Sequence, residues 1–228
     1  MKINKIIIIV LSCFIINSFL HADESITSEK YFSLVERIIN GERDINFLLM
    51  RLSYTKTELY VPYGSRKKER KKVLDAFQKK KYKKVLKLAE KVFKTDFIDM
   101  NTHYMCMLAA KRIEDNEKVD FHQFIVTGLL DSITMGSNGE TVDTAYKVIS
   151  TREEDFILTS FGYTTVRREE IRKNDAVIDK VFAEDFTGKK KSMYFNKNIP
   201  NEWLNKKYTL DEEVKESQDE NKKEKKSQ

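Results

Sequence analysis

The sequence predicts an α+β fold, with degenerate tetratricopeptide-like helical hairpins in its N-terminal part packed with a small, mostly antiparallel C-terminal sheet. Three observations predict it. Apolar residues recur at helical spacing from Tyr31 to Thr134. Between 143 and 196 the period changes to alternation. Only 7 Gly and 2 Pro accompany 34% charged residues, a composition that favours solvated helices over loops.

The first 22 residues stand apart from this pattern. Lys2 and Lys5 precede an apolar run from Ile6 to Leu20, and Leu20-His21-Ala22 ends on a small residue. That is the order of a secretory signal peptide, so the protein is expected to be exported, to a periplasmic or extracellular location. The run is 15 residues and includes Ser12, Cys13, Asn17 and Ser18, whereas a spanning helix needs roughly 20 mostly apolar residues. Val10-Leu11-Ser12-Cys13 offers an alternative, a lipid anchor at Cys13, although the apolar stretch before it is short. Cleavage after Ala22 leaves one α+β domain over 23–210 and a tail over 211–228. Cys106 is then the sole cysteine, which excludes an internal disulfide, and within Met105-Cys106-Met107-Leu108 it reads as a small buried hydrophobe.

The elements follow in order. Tyr31, Leu34, Val35, Ile38 and Ile39 form one helical stripe, and Gly41 stands where a C-cap needs it. Asp44 can cap a second helix with Ile45, Leu48, Leu49 and Leu52 inside, ending near Tyr54. A loop from Thr55 to Ser65 carries the breakers Pro62 and Gly64. Val73, Leu74 and Phe77 line the next helix, and Tyr82, Val85, Leu86, Ala89, Val92 and Phe93 line its return. Thr102 to Ile113 and Glu117 to Thr134 make a second hairpin. Two such units are fewer than the three or so that a free solenoid needs, so the helices need another surface to pack on.

The segment from 143 to 196 supplies it. Residues 144–149 alternate as a strand, and Tyr163 to Ile171, Ala176 to Ala183 and Lys191 to Asn196 are three more, with turns at Asn174-Asp175 and Thr187-Gly188. Thr151 to Phe161 reads as a helix with a Thr151-x-x-Glu154 capping box. From Asp211 to Gln228, seven acidic and five basic residues leave Val214 as the sole aliphatic, a composition that does not fold alone.

Charge is concentrated. From Arg66 to Lys94 there are 14 Lys or Arg against Glu69, Asp75 and Glu90, a net of +11, when the whole chain carries +6. Lys83, Lys87 and Lys91, with Lys80, Lys84 and Lys94, fall opposite Val85, Ala89 and Val92 and form a basic stripe. Such a stripe is either a solvated helix face or a docking face for an anionic surface. Nucleic acid is disfavoured, because no aromatic residues interleave with the lysines and the chain is read as exported.

Tyr54, Tyr60 and Tyr63, with Pro62, share one loop and read either as a binding rim for peptide or glycan or as packing against the helices. His103 and His122 are the only histidines after residue 22 and are the candidates for any acid–base chemistry. A turn centred between Asp115 and Asn116 would put them about six residues out of register, ~9 Å apart, too far to share a metal. Neither lies in a metal-ligand motif, and the chain offers no cofactor motif. Glu153, Glu154 and Asp155 fit the first turn of a helix, where acidic side chains complement the dipole. Gly136-Ser137-Asn138-Gly139 reads as a turn, lacking the residues of a phosphate or calcium loop.

Several stretches recur together in one known family. They are Arg51-x-x-Tyr54-x-Lys56-Thr57-x-x-Tyr60-x-Pro62-Tyr63, His122 ahead of Gly128-Leu129-Leu130-x-Ser132-Ile133, Gly136-x-x-Gly139, Ala145-Tyr146-x-Val148-Ile149, Glu153-Glu154 and Tyr194-Phe195-Asn196. In these the chain resembles an uncharacterised set of exported bacterial proteins, domain of unknown function 4919, over about 40 to 200. Where similar chains often have Gly-Asp-Gly, this one has Gly136-Ser137-Asn138-Gly139, without a carboxylate ligand. The resemblance implies export and a single domain and carries no mechanism. The expected function is a non-enzymatic envelope module that binds a peptide, glycan or partner protein. The alternative is a hydrolase using His122 or His103 with a carboxylate such as Glu140, Asp143 or Asp131.

Overall fold

The computed structural model describes residues 25–64 and 67–209. The proposed signal peptide, Cys13 and the tail after 210 lie outside the described residues. Helix α1 (Ser28–Ile39) is capped by Thr27, whose side chain accepts from Lys30 N. It ends through Gly41, at φ +90°, which lets Gly41 N–H reach Ile38 O and Glu42 N–H reach Arg37 O. Helix α2 (Phe47–Tyr54) starts from Asn46, which caps Leu49 N at 2.9 Å. Asp44 is not its cap. Its buried side is Phe47, Leu49, Met50, Arg51 and Tyr54, while the expected inner residue Leu48 is 50% exposed.

Helices α3 (Lys67–Gln78) and α4 (Tyr82–Phe93) form the first hairpin, and α5 (Met100–Arg112) and α6 (Asn116–Thr134) the second. Both helices of the second hairpin start on an aspartate cap: Asp99 accepts from Thr102 N and Asp115 from Lys118 N. Val73, Ala76, Val85, Ala89, Val92, Cys106 and Ala109 fill a seam between α3, α4 and α5. Small residues there bring the helices close. At Gly128 of α6 the approach is closer still. A Cβ there would lie 2.1 Å from the Phe47 ring.

The larger core joins α1, α2 and α6 to the sheet. Strands β1 (Tyr146–Lys147), β2 (Tyr163–Lys173), β3 (Ala176–Asp185) and β4 (Lys190–Asn196) lie in the order β1-β4-β3-β2. β1 is parallel to β4 and the other pairings are antiparallel. The first strand is much shorter than the 144–149 expected, because Val148 and Ile149 turn into the core, where they are 1% and 2% exposed. The β2–β3 hairpin turns on Asn174 and Asp175, both at positive φ, as their residue types foretold. Gly139 is stapled between Thr144 O and Tyr194 N, and a Cβ on it would meet the Tyr146 ring at 2.2 Å.

Helix α7 (Thr151–Ser160) sits between β1 and β2, with Ser150 as its N-cap, one residue before the expected Thr151. A last helical stretch, residues 198–209, follows β4; alternation had no reason to reveal it. It brings Trp203 against Tyr60, completing a row of rings: Tyr31 to Tyr54 at 5.1 Å, Tyr54 to Tyr60 at 5.7 Å, and Tyr60 to Trp203 at 6.4 Å.

Candidate functional site

The two histidines meet. Helix α5 ends at Arg112 and Glu114 turns the chain at φ +60°, so the connection is centred on Glu114, earlier than expected. The offset between His103 and His122 then falls to about three residues, ~4.5 Å along the axes. Their rings bridge that, with Nδ1 to Nδ1 at 2.8 Å, correcting the expected separation. His103 Nε2 lies 2.7 Å from Phe97 O. A carbonyl can only accept, so His103 carries its hydrogen on Nε2 and presents a bare Nδ1, and His122 Nδ1–H donates to it. Burial and the neighbouring imidazole push the His103 pKa down to about 3; burial and Lys118 push His122 down to about 4.

Phe93 stacks on the His103 ring at 4.1 Å, and Phe97 and Phe121 pack edge-on to the pair. Among the described residues no hydrogen bond or ion pair joins either histidine to a carboxylate, and no three metal-ligating side chains gather. Glu140 and Asp143 pair with Lys191 and Lys173, each at 3.4 Å, and Asp131 lines a separate cleft beside Arg43. The structure therefore does not assemble the expected histidine–carboxylate set.

The tyrosine loop does not form a rim. Tyr54 is 2% and Tyr60 4% exposed, because both phenols find backbone acceptors: Tyr54 Oη donates to Leu59 O and Thr95 O, and Tyr60 Oη to Ile149 O at 2.7 Å. Of the three, only Tyr63 reaches solvent, at 38% exposed. Lys83, Lys87 and Lys91 are exposed on α4 and make no ion pair among the described residues.

Beneath the tyrosines lies a buried charge cluster. Arg70 of α3 reaches Asp96 and Asp99, each at 2.5 Å, and Arg152 of α7 reaches the same two carboxylates at 2.6 and 3.4 Å. Burial and the neighbouring Asp99 push the Asp96 pKa up to about 7. Burial opposes charge on Asp99 as well, but the two arginines and the Thr102 N–H outweigh it and lower its pKa. Close by, Arg51 grips Glu153 with two bonds of 2.8 and 2.7 Å, and donates to Lys147 O and Ser132 O. Glu153 Oε2 also accepts from Ile149 N. Glu153 and Glu154 thus do more than complement the helix dipole. Glu154 is fully buried against Arg168, and burial pushes its pKa up to about 8.

One arginine signal was readable. Arg66 and Arg70 are the only arginines among the 14 cations of 66–94, and a planar fork is what bidentate carboxylate pairing needs. Above the cluster the α3, α5 and α7 surfaces enclose an open groove of about 790 Å³. Leu74 and Phe77 of α3, Met105 and Leu108 of α5, and Phe156 of α7 make its apolar floor. Lys67, Arg70 and Lys71 edge it, and Thr102 Oγ1, buried without a partner among the described residues, lines it. The groove thus combines apolar area that a ligand could bury with polar groups at its margin.

The chain belongs to the family described as domain of unknown function (DUF4919), whose profile matches residues 22–205. No curated protein and no solved structure matches it.

Proposed function

We propose that this member of the family is an exported envelope module that binds a partner without chemistry of its own, and that the α3–α5–α7 groove receives an apolar segment of that partner. The observation that carries the reading is the groove, an open apolar trough of about 790 Å³ with half-exposed Leu74 and Tyr104 at its lip. Isolated exposed apolar side chains need no explanation, but apolar side chains converging on one concavity do. Export is supported by the basic start, apolar middle and small residue at Ala22. Among the described residues no helix is long and apolar enough to cross a membrane.

Two measurements test the reading. Mass analysis of the protein from a bacterial host should find a chain beginning at Asp23; retention of Met1 removes the export half. Panning a displayed peptide library against the protein and against Met105→Glu should enrich apolar peptides on the parent alone. Met105 is partly buried and packs against the α3–α5 seam, so circular dichroism must first show that the variant folds. Leu74→Asp, at the exposed lip, repeats the test without touching the seam. Equal enrichment on the parent and both variants, or none on the parent, overturns the groove.

A further inference from the structure

The outer surface of the α3–α4 hairpin fits a different partner. Along α4 the buried residues Val85, Ala89 and Val92 fix the inward direction. At 100° per residue, Lys83, Lys84, Lys87, Lys91 and the C-cap Lys94 then span an arc of roughly 100° centred on the opposite side. All five are exposed. Around the corner, Lys72 and Lys79 from the α3 side and Lys81 and Lys84 from the α4 side rim a shallow cleft of about 340 Å³. Its remaining wall is Ala76, Leu88 and Asp75, whose carboxylate is held by Lys71 at 3.0 Å. Among the described residues no ion pair engages the other lysines of the stripe and the cleft, so these cations line the hairpin's outer surface without a salt-bridge partner.

Unneutralised like charges in a row raise each other's energy, and the surface is relieved when a partner supplies anions at the same density. The chemistry selects which partner. The cations are lysines, point charges on flexible stems with no bidentate fork, and no ring stacks among them. That suits a fluid array of singly charged headgroups better than a nucleic acid, which needs stacking or fork recognition.

We propose that the α3–α4 hairpin is a docking surface for an anionic phospholipid bilayer, with the α4 stripe lying on the headgroups and the four-lysine cleft holding one of them. The proposal is independent of the groove, which lies on the other side of α3. It places the protein flat on a membrane with the groove still open to solution.

The test is co-sedimentation of the full chain with vesicles of phosphatidylcholine alone or containing phosphatidylglycerol, read as the ratio of binding on the two. The ratio should exceed one and collapse as salt is raised, since exposed charge is screened within ~10 Å at 0.1 M. Lys83→Gln/Lys87→Gln/Lys91→Gln should lower it about a hundredfold, at about fivefold per lysine, with an unchanged circular dichroism spectrum because all three are exposed. Lys72→Gln/Lys81→Gln, which spares the stripe, should weaken binding less and show whether the cleft takes part. A ratio of one, a triple variant that binds as the parent does, or retention by heparin without any vesicle binding overturns the proposal.

Discussion

The body built from α1, α2, α6, α7 and the sheet buries an ion pair at its centre, whereas the α3–α4 hairpin carries its lysines on the outside. In the body, Arg51 and Glu153 are almost fully buried and tie α2, α6, β1 and α7 to one another through five acceptor atoms. In the hairpin, a narrow seam of Val and Ala holds two helices whose lysines all face out. Arg70 links the two, leaving α3 to enter the Asp96–Asp99 cluster. The difference shows two ways of spending polar residues. Buried pairs add little net stability against an apolar substitute, but they penalise any packing that leaves one partner alone, and so fix how the layers meet. Displayed charges leave the fold alone and are free for contact.

The sharpest way to break this comparison is Arg51→Ala, which strands Glu153 and should cost about 3–5 kcal/mol in urea unfolding. Arg51→Met with Glu153→Leu should recover most of that loss. If the single variant is no worse than an ordinary surface change, the ion pair does not hold the layers.

Next in size is the histidine pair. Both imidazoles have folded pKa values below the ordinary 6.5, so the unfolded chain binds more protons as acid is added. Their contribution is complete above pH 6.5 and is lost as the pH falls toward about 4, on the order of 3 kcal/mol for His122. Asp96 and Glu154 act in reverse. Their raised pKa values, about 7 and about 8, make the native state hold protons that the unfolded state releases, so they add stability as the pH falls through that range. The parent's profile mixes the two, and the difference between variants separates them. His122→Asn can still donate to His103 Nδ1 and cannot titrate, so its urea midpoint should fall less steeply between pH 6.5 and 4 than the parent's. Parallel profiles would remove His122 from the acid response.

Gly128→Ala tests the closest packing in the body. Its Cβ would overlap the Phe47 ring, and overpacking of this kind should cost about 1–3 kcal/mol. Smallest of all, Lys87→Gln should leave the urea midpoint unchanged, since its side chain is exposed. A clear loss there would mean that the hairpin's charges support its fold after all.

The α+β division, the two helical hairpins and the β2–β3 turn were legible because each follows from the spacing of apolar residues or from a residue type with one preferred conformation. Polar residues were harder. Asp44 and Thr151 are as good caps as Asn46 and Ser150, and only the position of the first buried residue chooses between them. The His103–His122 contact turned on a shift of one to two residues in a connecting turn. Tyr54 and Tyr60 look like binding residues in sequence because a buried phenol and an exposed one read alike until the acceptor, Leu59 O or Ile149 O, is in view. Arg51 and Glu153 stand 102 positions apart, beyond any periodic signal.

The row of rings from Tyr31 to Trp203 has an optical consequence. Trp203 is the chain's only tryptophan, and Tyr60 stands 6.4 Å from it, with Tyr54 and Tyr31 behind. Light absorbed by these phenols passes to the indole while the helical stretch 198–209 is seated, and returns as tyrosine emission when that stretch lifts away. The protein thus carries its own fluorescent gauge of whether its last helix is seated against the loop that carries Tyr60.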